Sequence, residues 1–128
     1  MSLKYNAARD AFGDGRMSWT AAKIVAQLVS AEYLATERHT DARDLKGLVG
    51  SPLVLSGKSI KDGWCTAAQM RFEQIRGGTV TALVIRRDAE AEHDKTLIVY
   101  LNDIKDFPMK TNGGDIVVDV PAKGLFRV

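Results

Sequence analysis

Cysteine is almost missing from this chain: among 128 residues only Cys65 carries a thiol. No internal disulfide can form, so packing and hydrogen bonds must hold the fold, and the expected setting is a reducing one, with synthesis in the cytoplasm. Long apolar runs are missing as well. None reaches the ~20 residues that cross a bilayer, and the opening Met1-Ser2-Leu3-Lys4-Tyr5 lacks the apolar stretch of a secretory signal. No membrane partner is therefore expected. Charge of one sign is missing too: 18 Lys and Arg stand against 16 Asp and Glu, a net charge of +2. The nearest thing to a basic stripe is Lys58, Lys61, Arg71, Arg76, Arg86 and Arg87, and the acidic run Asp88, Glu90, Glu92, Asp94 follows it at once. These charges read as solvated strand faces and loops, so nucleic acid is not an expected partner.

What is present is ordinary globular material. Hydrophobic residues make up 45% and charged residues 27%, and one β-rich domain over residues 1–128 is expected. Residues 3–12 read as a short helix with Tyr5, Ala8 and Phe12 on one face, stopped by Gly13-Asp14-Gly15. So short a helix must dock on the body to persist. Trp19 precedes Ile24-Val25-Ala26-Gln27-Leu28-Val29, whose length and β-branching favour a buried strand, although Ala21, Ala22 and Ala26 leave a helix open. Residues 30–50 read as a loop with one helical turn at His39–Leu45, capped by Thr40 or Asp41 and ended by Gly47 and Gly50.

From Pro52 onward the pattern is β. Lys61-Asp62-Gly63-Trp64 carries the Asp-Gly hairpin signal. Met70 to Ile85 reads as a hairpin turning at Gly77-Gly78, with Val80–Ile85 as its apolar strand. A charged loop over 88–95, a strand over Thr96–Leu101, a loop over Asp106–Gly114, a strand over Ile116–Val120 and a last strand over Leu125–Val128 follow. The expectation is a mainly β fold: an antiparallel sandwich or barrel of about seven strands with a short N-terminal helix.

No arrangement of residues reads as chemistry. Cys65 with His39 or His93 would make a thiol–imidazole pair only if the fold joined them; a buried thiol after Trp64 is the simpler reading. His93 among Glu90, Glu92 and Asp94, and His39 near Asp41 and Asp44, match no metal spacing. Gly77-Gly78 and Gly113-Gly114 lie outside any phosphate-binding pattern, and positive-φ turns account for both. Trp19 and Trp64 read as core or interface rather than stacking platforms. No catalytic, cofactor-binding or metal-ligating residue is assigned, and no cofactor is expected.

Read in order, the chain resembles a family of small virion structural proteins encoded in the morphogenesis regions of tailed bacteriophages. The likeness runs through Tyr5-x-x-Ala8-Arg9-x-Ala11-Phe12-x-x-Gly15, Trp19, Ile24 and Leu28-Val29. It continues through Leu55-x-Gly57-Lys58, Asp62-Gly63, Phe72 and Ala82-Leu83-Val84-Ile85-x-Arg87-Asp88. It ends with Leu97-Ile98-x-Tyr100, Phe107-Pro108, Asn112-Gly113-Gly114-Asp115-Ile116 and Phe126-Arg127-Val128. Residues 30–50 and the Glu90–Lys95 loop have no counterpart in that pattern. The resemblance implies a non-enzymatic component of the virion, with a capsid decoration or cement protein first and a tail or head–tail connector component second. Its implied partners are a major capsid or tail protein and further copies of itself, since repeated binding to a symmetric lattice favours a homo-oligomer. From the residues alone two other classes stay open: a small enzyme or ligand-binding barrel enclosing Phe72, Trp64 and Tyr100, and a nucleic-acid binder using Arg71, Arg86 and Arg87.

Overall fold

The computed structural model describes residues 2–127. The chain is mainly β, with 37% of residues in strands and 11% helical. Its frame is a five-stranded antiparallel sheet. Across it run β1 (Ser2–Lys4), β9 (Leu97–Leu101), β8 (Ala82–Arg87), β2 (Ile24–Val29) and β3 (Leu48–Val54). All six residues of β2 are buried, as a strand covered on both faces must be. Ile24-Val25-Ala26-Gln27-Leu28-Val29 is thus the strand its β-branching favoured, and the helix reading falls.

In β8 the alternation is clean. Leu83 and Ile85 enter one apolar cluster, while Ala82 and Val84 enter another on the opposite face. In β9 the period breaks: Ile98 and Val99 are adjacent, yet both join the first cluster. A bulge explains it, because Ile85 pairs with Val99 and Arg86 with Leu97, leaving Ile98 as the extra residue.

Three small antiparallel sheets stack on the first face and complete a sandwich-like body. They are β4 (Ser59–Lys61) with β5 (Trp64–Thr66) and β12 (Phe126–Arg127); β6 (Met70–Phe72) with β11 (Ile116–Val118); and β7 (Thr79–Val80) with β10 (Met109–Lys110). Met70, Phe72, Ile116, Val118, Cys65 and Phe126 close the first cluster from above. Trp19 sits inside it, 1% exposed, its ring edge-on to Phe126 with centroids 5.3 Å apart and its indole N–H donating to the Thr66 carbonyl at 3.0 Å.

Several expectations need correction. Among the described residues the strands number twelve short segments rather than about seven, because turns and bulges cut the sheet layers into pieces of two to seven residues. Met70–Ile85 is not a hairpin. Gly77 and Gly78 do turn the chain, at φ +104° and +125°, but the flanking strands join different sheets. Asp115 decides this: its carboxylate accepts the Gln74 backbone N–H, and Ile75 N–H donates to the Gly114 carbonyl. Those contacts dock 74–75 on 114–115 and put β6 in register with β11. The loop at 106–114 contains the short strand β10, and the charged loop at 88–95 contains a 3-10 turn at Glu92–Asp94.

The expected strand over Ile116–Val120 stops at Val118, and the last strand is Phe126–Arg127; the expectation for Val128 lies outside the described residues. The first helix, α1, spans Asn6–Gly13, and Ser2–Lys4 is strand rather than helix. Tyr5 and Phe12 therefore do not share a helical face. Tyr5 stands just before α1 with its ring in the second cluster, whereas Ala8, Ala11 and Phe12 pack on the first.

Candidate functional site

The second face of the main sheet is closed by residues 30–47 as an irregular strap. Its 3-10 turn at Ala42–Asp44 is capped by Asp41, one of the two caps expected. Asp41 is buried. Its carboxylate accepts the Arg43 backbone N–H at 3.0 Å and is held by the Arg43 guanidinium at 2.8 Å and 3.0 Å. The Arg43 hydrogen bonds hold its pKa at about 2, against the opposing pull of burial. Asp44 returns the cap by accepting the backbone N–H of Asp41 at 3.4 Å, and it also accepts that of Thr40 at 2.8 Å.

Beneath the strap runs a chain of hydroxyls. Tyr5 and Tyr33 meet oxygen to oxygen at 2.7 Å, and the Tyr33 oxygen lies 2.8 Å from Nδ1 of His39. Every group is satisfied when Tyr5 donates to Tyr33 and Tyr33 donates to the imidazole. Burial, reinforced by that bond, pushes the Tyr5 hydroxyl far above its ordinary range. Burial also raises Tyr33, though the bond from Tyr5 opposes it. The rings of Tyr33 and Tyr100 pack edge to face at 6.0 Å. This network ties strand, sheet and strap together.

The other residues singled out by sequence are dispersed. Cys65 is fully buried in the first cluster, and burial pushes its thiol up to about 11. His39 serves the opposite face, so the fold does not bring the two together. His93 is exposed and faces its neighbour Asp94 at 3.5 Å. Among the described residues no group of three His, Cys, Asp or Glu is placed to hold a metal ion. The cations are scattered among internal partners. Lys58 donates to the Ala22 carbonyl, Arg71 pairs with Asp115 at 3.3 Å, and buried Arg86 reaches Asp88 at 3.4 Å. Gly113 takes φ +84°, as the Asn-Gly-Gly turn requires. Trp64 is half-buried, with the Lys123 ammonium 4.9 Å above its ring.

What the surface offers is apolar. Leu48 and Val54 on the edge strand β3 are 56% and 53% exposed, and Leu34 on the strap is 80% exposed. Strand β3 is a poor template for another strand, because Pro52 removes a donor and Gly50, at φ +72°, disturbs the ladder. Opposite it, two grooves of about 400 Å³ and 510 Å³ flank the place where Lys4 Nζ donates to the Arg127 carbonyl at 2.8 Å. Neither groove is lined by His39, His93 or Cys65. Sequence reading missed both the tyrosine–histidine chain and this groove, since their members lie up to 123 positions apart. Among the described residues no helix is long and apolar enough to cross a membrane. No protein-family model and no curated protein sequence matches the chain.

Proposed function

We propose that this chain is a non-enzymatic structural component of a bacteriophage virion, a capsid decoration or cement protein that binds the shell as a homo-oligomer. The observation that carries this reading is where the resembling residues fall. Trp19, Ile24, Leu28, Phe72, Leu83, Ile85 and Phe126 are core, and Asp62-Gly63 and Asn112-Gly113-Gly114 are turns with left-handed residues. Much of the likeness therefore falls on a frame, with exposed residues such as Arg9 and Arg127 outside it. Around that frame Cys65 and His39 are spent on packing and on the strap, while large apolar side chains stay exposed. A decoration protein needs such a body: rigid, with apolar contact points that repeat with the lattice. Several weak contacts per oligomer then give avidity.

The purified protein should form a discrete oligomer and co-sediment with mature shells at a fixed ratio, without turning over generic ester, phosphate or glycoside substrates. Binding to tails instead of shells would move it to the tail or head–tail connector. A monomer that ignores both and hydrolyses one of those substrates would overturn the reading.

A further inference from the structure

We infer that the groove between α1 and the C-terminal strand β12 is a docking site for an acidic, apolar-anchored peptide segment of another protein. Its floor is apolar. Ala8, 3% exposed, gives the floor depth because it has no bulk, and the half-buried ring of Phe12 and buried Phe126 form the sides. The volume of about 400 Å³ falls in the range of ligand grooves. The charge around it is of one sign. Lys4, Arg9 and Arg127 line it, with the Lys4 ammonium also donating to the Arg127 carbonyl; among the described residues no Asp or Glu lines it and none of the three cations has a carboxylate partner. An apolar floor under three cations selects an occupant with an apolar side chain and more than one carboxylate.

A peptide segment fits this surface better than a small acid, because a second groove borders the first on the far side of the Lys4–Arg127 hydrogen bond. The second groove shares Lys4, Phe126 and Arg127 with the first and runs on past Trp64 and Lys123. Its charge is mixed, with Asp103 and Asp119 among its residues, so selection for acid belongs to the first groove. The inference rests on the proposed function only in taking the chain as a protein-binding component.

Gly13 supplies the test. It lines the groove, has no positive φ, and a Cβ built on it would meet no atom within 4 Å. Gly13→Trp should therefore obstruct the groove while leaving the fold intact, which thermal melts would check. A randomised peptide library selected on the folded chain should yield sequences with an aromatic or aliphatic anchor flanked by Asp or Glu. By fluorescence anisotropy, the best of these should bind the Arg9→Glu variant about tenfold more weakly, should lose binding to Gly13→Trp, and should weaken as salt rises. No enriched peptide, an enriched peptide without acid, or one indifferent to both substitutions would overturn the site. So would an oligomer that Gly13→Trp disperses, since the groove would then hold a second copy of the chain. Peptide binding by a protein that ignores particles would sink the virion reading and leave the groove. Particle binding without peptide selection would do the reverse.

Discussion

The two faces of the main sheet are closed by different physics. On one, Trp19, Phe72, Met70 and Phe126 interlock with Leu28, Leu83 and Ile85, and the small sheets above supply their own ladders. On the other, residues 30–47 lie across Val29, Ala82, Val84 and Leu97 with little regular structure. That face is fastened by polar devices: the Tyr5–Tyr33–His39 chain, the Asp41 cap, and an Asn6 N–H bond to the Glu37 carbonyl. A close-packed face loses stability with volume. A strapped face loses it with single atoms, because a buried hydroxyl without a partner costs more than its bond contributed.

Substitutions on each side sharpen that contrast. Trp19→Ala should have the largest effect, about 3–5 kcal/mol by urea denaturation, since it opens a cavity and frees the Thr66 carbonyl. A loss below about 1 kcal/mol would mean that the first face is loosely packed. Tyr33→Phe removes one oxygen and no volume, yet it leaves the buried Tyr5 hydroxyl without an acceptor. The expected cost is about 2–3 kcal/mol, with faster amide exchange across 30–47. If Tyr33→Phe is silent, the strap is held by its apolar contacts and the contrast fails.

Gly113→Val forces a β-branched residue to φ +84° beside the Arg76 guanidinium. It should cost about 1–2 kcal/mol. A variant that melts with the parent would show that the 112–114 turn does not fix the first-face sheets.

The smallest effect is a pH dependence. The Asp41 pKa of about 2 lies below its ordinary 3.8. A depressed carboxyl contributes stability that is fully present above the unfolded value and is lost as pH falls through the folded one. Thermal midpoints of the parent and Asp41→Asn should therefore differ at neutral pH and converge between about pH 4 and pH 2. A constant difference across that window would remove Asp41 from the fastening of the strap.

The same contrast decides what sequence could tell. Strands β2, β8 and β9 were legible because apolar, β-branched runs bounded by turn residues have few other solutions. The Asp62-Gly63 and Asn112-Gly113 turns were legible because left-handed backbone needs such residues. Strand partners were less so: the pairing of Met70–Phe72 with Ile116–Val118 follows from a carboxylate at Asp115 bonding 41 residues away, and no local pattern records it. A cap at Thr40 or Asp41 was readable from residue type, and the structure takes Asp41, but the role of Tyr33 was not readable. A tyrosine in a polar stretch carries no sign that it will meet Tyr5, 28 residues earlier. The groove rim was hidden for a similar reason, since Lys4 and Arg9 lie at one end of the sequence and Arg127 at the other.

The central proposal, that this chain is a structural part of a virion shell, is tested most directly by electron microscopy of particles assembled with and without it. The account predicts added density at symmetry-related positions on the outside of shells that contain the protein, and its loss without it. Particles identical in head, connector and tail, whether or not the protein is supplied, would contradict it.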